Sequence, residues 1–257
     1  MALITLLTDF GTQDGFVAQI KGVILSINPH CTLVDVTHDI PPFSIRQAAL
    51  VLKGITAYFP QGTVHLAVVD PGVGGMRKPM AIHAFDSYFV GPDNGLFSWI
   101  TASTDEWEAR EIANPDLVSP NPHPTFHGRD IFAPTAAHLS LGRQFSEVGP
   151  LIQQPVCFSC PQPLTTPTGL KGEIIHRDRF GNLTTNIDQS MLIRAVKLVI
   201  AGQEKIPGLS RFFAEAAPGA PLALINSFGF LEIAVNAGNA ASLLGLDIGD
   251  PVTIVWA

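Results

Sequence analysis

Three times within its first seventy residues the chain runs a short, nearly uninterrupted apolar stretch into a polar turn: LITLLT (3–8), TLVDVT (32–37) and TVHLAVV (63–69). The segments between them have helical period. DGFVAQIKGVILSI (14–27) sets Phe16, Val17, Ile20, Val23, Ile24 and Ile27 at three- and four-residue steps, and Pro29 stops it. After PPF, Ser44 is placed to cap a second helix, IRQAALVLKGITAYF (45–59). Apolar strands without alternation are buried on both faces, and strands separated by helices pair in parallel. The pattern predicts an α/β domain with a mostly parallel sheet, continued by strands near 80–90 and a helix near 129–141. GPDNG (91–95) reads as a turn, with Asp93 and Asn94 tolerating unusual backbone angles.

The helical pattern lapses in PLIQQPVCFSCPQPLTTP (150–167), whose five prolines read as a linker. Beyond it, GEIIHRDRFGNLTTNI, AVKLVIAG, PLALINSFGFLEIAVN and DPVTIVWA are strands joined by turns. The expected organisation is an α/β domain over 1–150, a linker over 151–167 and a smaller antiparallel β domain over 168–257.

Only 14% of the 257 residues are charged and 46% are hydrophobic, against about 25% charged in an average soluble protein. Such an apolar excess suits a protein that oligomerises. No run reaches the roughly 18 apolar residues of a membrane span, and MALITLLTDFG lacks a basic leader, so a soluble cytoplasmic protein is expected. A net charge of −7 opposes nucleic-acid binding, which needs clustered Lys and Arg. Cys157 and Cys160 form one C-x-x-C with no second pair, and Cys31 is remote. A structural zinc site wants four ligands, so ordinary thiols are the simpler reading.

Chemistry concentrates where strands end. Asp9 and Asp70 each follow an apolar strand, and ligands of open α/β sheets bind at the carboxyl ends of strands. A shared site is expected, against the plainer reading of two turn-satisfying aspartates. In VVDPGVGGMR (68–77) a proline–glycine turn separates Asp70 from Arg77, and FHGRDIFAP (126–134) sets His127 before a helix. His38, in VTHDIPP, is equally well placed. Asp9 and Asp14 could begin the carboxylate cluster of a calcium-dependent nucleoside hydrolase, though calcium wants more oxygen ligands. No phosphate-cradling loop, dinucleotide fingerprint or nucleophile elbow is present. In the β domain, Asp178 and Asn182 flank a turn, while Asn226, Ser227, Glu232 and Asn236 follow one another along a strand. They read as polar hairpin ends, or as a rim of groups that could meet the edge of a base.

Taken in order, TDFGTQDGFVAQIKGVI, VVDPGVGGMR, GPDNGLF, FHGRDIFAP, DRFGNLTTNI and NSFGFLEIAVNAG resemble the S-adenosyl-L-methionine (SAM) hydroxide adenosyltransferases. These adenosine-forming SAM hydrolases are relatives of fluorinase and chlorinase. The resemblance implies an α/β N-terminal domain, a β-barrel-like C-terminal domain, and homotrimers with active sites between subunits. It implies SAM as substrate, no cofactor and no metal. Asp70, Arg77 and His127 would handle water. Asp9 (ribose hydroxyls), Asp70, Asn182, Ser227, Glu232 and the backbone at Val235 would hold adenosine, with Asn236 and Ala237 beside the adenine edge. Asp178 matches a position associated with the methionine amino group. Asp70, Gly128 and Val73 stand where the fluorinase has tyrosine, serine and threonine, which disfavours halide as nucleophile. The rival readings are a SAM or adenosine sensor without turnover, and a nucleoside hydrolase.

Overall fold

The computed structural model describes residues 2–159 and 161–257, so Cys160 of the C-x-x-C pair lies outside the described residues. The chain divides into two compact units, 1–158 and 159–257.

The first unit alternates strands and helices: β1 (Leu3–Thr8), α1 (Phe16–Ile27), β2 (Thr32–Thr37), α2 (Ile45–Thr56), β3 (Val64–Val68), β4 (Pro79–Ala84), β5 (Ser87–Pro92), α3 (Ser98–Ala102), β6 (Trp107–Glu111) and, after a one-turn π segment at Gly128–Phe132, α4 (Ala133–Ser140). The sheet order is β2-β1-β3-β5-β4-β6. β2, β1, β3 and β5 pair in parallel, and β4 joins β5 and β6 antiparallel. The sheet is thus mostly parallel, with an antiparallel edge that short apolar strands do not advertise. One core, on Ile4, Leu6, Leu66 and Val90, packs under α1 and α4; the other, on Leu7, Ala67, Ile82 and Phe89, packs under α2 and α3.

Several local readings need correction. Ser44 occupies the cap position of α2, but its side chain makes no capping bond, and the helix stops at Thr56 rather than 59. The helix expected over 129–141 is split into the π segment and α4. In GPDNG the positive φ falls on Gly95, not on Asp93 or Asn94. Those two side chains bind backbone instead: Asp93 accepts from Val156 N (2.7 Å) and Asn94 donates to Val69 O (2.9 Å). The proline-rich segment 151–167 is divided between the units. Ile152 N donates to Ala109 O (2.8 Å) and Phe158 N to Ser98 Oγ (3.0 Å), both within the first unit, whereas Leu164–Thr166 is a strand of the second.

The second unit holds β7 (Leu164–Thr166), β8 (Gly169–Arg177), β9 (Leu183–Asp188), β10 (Val196–Ala201), β11 (Glu204–Pro207), β12 (Pro221–Ile225), β13 (Phe230–Val235), α5 (Ala240–Leu244) and β14 (Pro251–Trp256). The order β11-β10-β14-β8-β9-β13-β12 is antiparallel throughout, with β7 on β8. End strands β11 and β12 come into contact, so the sheet curls almost shut around Ile174, Leu183, Ile233 and Ile254. Register shifts at Ile174/His176 and Phe230/Glu232 mark the bulges that bend it.

On β3, His65 is wholly buried between strands, stacked on Phe89 with ring centroids 5.0 Å apart. Its Nδ1 meets Thr5 Oγ1 at 2.8 Å, and Nε2 has no hydrogen-bond partner among the described residues. Burial pushes its pKa down to about 4, so between pH 4 and 6.5 the unfolded chain binds the proton and the folded one does not. Stability therefore falls as pH drops through that window. Urea midpoints are expected to show about 2 kcal/mol of extra loss between pH 7 and pH 5 in the wild type relative to His65→Leu. Parallel pH slopes in the two proteins would remove His65 as the source.

Candidate active site

β1 and β3 are parallel neighbours with Thr8 opposite Val68, so Asp9 and Asp70 leave the same sheet edge. They are then put to different use. Asp9 Oδ2 accepts the backbone N–H of Phe43 (2.9 Å), a residue held at φ 66°. His38 braces the same edge: its Nδ1 meets Thr8 Oγ1 at 2.8 Å and its carbonyl accepts from Gly11 N. Its Nε2 lies 3.0 Å from Asp35 Oδ1, but not at a hydrogen-bonding angle. His38 is thus a structural tie between two strand ends.

Asp70 is joined to Arg77 by the turn 71–76. Gly74 shapes that turn: it has φ 74°, and a Cβ there would stand 2.3 Å from the Pro124 carbonyl oxygen. The missing side chain lets the turn pack on the segment that leads to His127. Arg77 Nε donates to both Asp70 oxygens (3.0 Å each) and Nη2 to Oδ2 (2.5 Å). The same Nη2 lies 2.7 Å from His127 Nδ1. The Asp70 and Arg77 side chains are only 5% and 9% exposed, and Arg77 Nη1 is buried without a hydrogen-bond partner among the described residues. The three side chains picked out from two separate stretches, 68–77 and 126–134, therefore form one connected network. Asp14 is exposed, and among the described residues no group of three or more His, Cys, Asp or Glu could hold a metal ion.

His127 stands at the start of the π segment, where such a bulge turns side chains off the helical track. Asp130 anchors this corner, taking two bonds from Arg129 (2.7 and 2.8 Å) and one from His123 N (2.8 Å). Burial, and then the Arg77 cation, holds His127 below the ordinary histidine range, while Asp70 and Asp130 pull the other way. Asp70 and His127 face a cavity of about 440 Å³ also walled by Val73, Gly128, Phe10, Phe16 and Phe126. Those phenylalanines meet edge to face at 5.4–6.0 Å. Sequence reasoning missed this aromatic wall, since its members are scattered and only packing joins them.

In the second unit, the expected nucleoside residues separate into presenters and braces. Asp178 Oδ1 accepts from Phe180 N and Asn182 N (2.9 and 2.8 Å), and Oδ2 from Asn182 Nδ2 (3.0 Å), which closes the 178–182 turn. Gly181 (φ 86°) completes it, since a Cβ would fall 2.2 Å from Asn239. Glu232, 6% exposed, sits opposite Thr184 across the β9–β13 pair. Its Oε2 receives Asn226 Nδ2 (3.0 Å) and Thr184 Oγ1 (3.4 Å). Burial raises its pKa above the ordinary glutamate range, and Asp178 adds to the rise. Asn226 also donates to Thr184 (3.2 Å) and accepts from Phe228 N and Phe230 N, so its amide is fully engaged and fixes the turn bearing the exposed Ser227. Asn236 Nδ2 donates to Ala216 O (2.7 Å) at the end of β13, just after buried Val235 and before Ala237 at φ 53°. Thr184 was not singled out from sequence, although strict alternation opposite Glu232 could have found it.

The model of the SAM hydroxide adenosyltransferase N-terminal domain matches residues 4–149, and that of the C-terminal domain residues 172–253. The chain belongs to the SAM hydroxide adenosyltransferase family. Among its relatives, the (R)-S-adenosyl-L-methionine hydrolase of Thermus thermophilus is 40% identical, covering 97% of this chain and 98% of that one. The enzyme of the same name from Salinispora tropica is 39% identical over 98% and 97%. A fluorinase from an Actinoplanes species is 32% identical over 99% and 98%. The crystal structure of an uncharacterized conserved protein from Thermotoga maritima superposes with a TM-score of 0.92 at 38% identity, covering 98% of this chain and 99% of that one.

A buried ion pair broken on one side leaves an uncompensated charge. Arg77→Met is accordingly expected to cost about 3–5 kcal/mol in chemical denaturation. Adding Asp70→Asn should restore most of that loss. A double variant no more stable than Arg77→Met would show that the network is not held by the pair.

Proposed function

We propose that this protein hydrolyses SAM to adenosine and L-methionine, with water displacing the thioether at the ribose 5′ carbon. The observation that carries the reading is the connected Asp70–Arg77–His127 network on the wall of an aromatic cavity. A sulfonium departs as a neutral thioether, so sulfur needs no acid. Water is the difficult partner, with a pKa near 15.7. A buried carboxylate kept beside a guanidinium, with an imidazole next to both, orients one water and accepts its proton. Oriented proton transfer of this kind is worth about 10² to 10⁴ in rate.

Asp70 also speaks against halide, which a carboxylate repels, and Gly128 brings no hydroxyl to bind one. The near full-length likeness to proteins named SAM hydrolases supports the same reading. We assign Asp9 to the ribose hydroxyls, and Asn182, Ser227, Glu232 and the Val235 backbone to the nucleoside, beside Asn236 and Ala237. Asp178 is assigned to the methionine amino group. We further propose a cytoplasmic homotrimer whose active sites lie between subunits. Exposed Phe43, Met76, Phe180 and Phe228 provide apolar surface for such contacts. Among the described residues no helix is long and apolar enough to cross a membrane.

Chromatography after incubation with SAM tests the reading. Adenosine and methionine are expected in equal amounts, with or without chelator. Free adenine lost on chelation would favour a nucleoside hydrolase, and intact SAM a sensor. Asp70→Ala is expected to lower kcat by about 10² to 10⁴ while adenosine binding stays measurable by calorimetry.

A further inference from the structure

Resting on the hydrolase reading, we infer that His127 acts only as a fixed hydrogen-bond donor through Nε2, and that Asp70 takes the proton of the attacking water. A guanidinium has donors and no acceptor. Nδ1 of His127, 2.7 Å from Arg77 Nη2, must therefore supply the lone pair of that bond. A neutral imidazole protonates one nitrogen only, so the proton stands on Nε2. An imidazolium would set N–H against N–H and cation against cation at the same distance.

The charged and titratable groups around the ring are Arg77 and Asp70 from the turn after β3, Arg129 and Asp130 on the π segment, and His123 on the loop before it. The cation in direct contact is Arg77, and together with burial it keeps the ring neutral. So held, the imidazole has no lone pair to offer. Asp70 does: a carboxylate has about four acceptor sites, and Arg77 bonds Oδ2 from two nitrogens but Oδ1 from one.

The step then balances. The O–C5′ bond forms as the C5′–S bond breaks. Sulfur keeps the electron pair as a thioether, and the water proton passes to the Asp70 carboxylate and later to solvent. His127 Nε2–H donates to the same oxygen and fixes its lone pair on the carbon. Arg77 stays protonated and is the positioning residue that sets the histidine tautomer.

Glutamine tests the assignment, because its amide can accept from Arg77 and donate near the Nε2 position but cannot act as a base. His127→Gln is expected to lose about tenfold in kcat, the scale of one altered hydrogen bond, and to keep the acid limb of the pH profile where the wild type has it. His127→Leu should lose more, and Asp70→Asn about 10² to 10⁴. A His127→Gln enzyme as slow as Asp70→Asn, with its acid limb gone, would make His127 the base and overturn the inference. Nitrogen-15 NMR of histidine-labelled wild type gives an independent reading: a bare Nδ1 and a protonated Nε2 are expected at neutral pH. The reverse tautomer, or an imidazolium, refutes the inference even if SAM is hydrolysed. Failure of the hydrolase reading looks different, with no adenosine formed while the expected tautomer is still seen.

Discussion

One buried cation organises the first unit. Arg77 is almost wholly removed from solvent, and a guanidinium in that position is tolerable only while its charge is balanced. Asp70 supplies the balance, and the bond to His127 takes a further donor. Each partner is in turn fixed from below. Asp70 follows the central strand β3, whose neighbours on both sides are buried, and His127 rides on a helix start pinned by Asp130. The turn that carries Arg77 between them closes because Gly74 accepts both a left-handed backbone and close packing on Pro124. Remove the cation and a carboxylate is stranded in an apolar wall; remove the carboxylate and the cation is.

The second unit solves a related problem with neutral groups. Glu232 is buried on a barrel-like sheet with no cation paired to it among the described residues, and its carboxylate is supported by the Asn226 amide and the Thr184 hydroxyl. The consequence is opposite in sign to that of a paired acid: its proton affinity is raised rather than lowered. The bulge before it turns the side chain toward Asn226 and the Ser227 turn. A carboxylate positioned in this way, one oxygen engaged, is suited to a hydroxyl or amino group rather than to an anion.

Much of this was legible in the chain. Uninterrupted apolar strands reported burial on two faces for β1 and β3, though not for TLVDVT, which is the edge strand β2 and has no buried residue. Aspartates after β1 and β3 reported a shared sheet edge, because that depends on local pattern. The division of labour between Asp9 and Asp70 was not legible. It depends on Phe43 arriving with a left-handed backbone N–H to satisfy. Nor could sequence tell that the Asn226 amide is internally consumed, or that Phe10, Phe16 and Phe126 converge. Those facts are set by packing between segments far apart in the chain. Ser44 shows the converse: a residue of the right type at the right position, whose hydroxyl makes no capping bond.

The proposed step is attack on the 5′ carbon, in line with sulfur, by a water held by Asp70 and His127, both fixed by Arg77. Turnover of SAM in oxygen-18 water, followed by mass spectrometry of both products, measures it directly. One oxygen-18 in the 5′ hydroxyl of adenosine, with none in the methionine, is the expected result. Unlabelled adenosine, or label in the methionine, would contradict it.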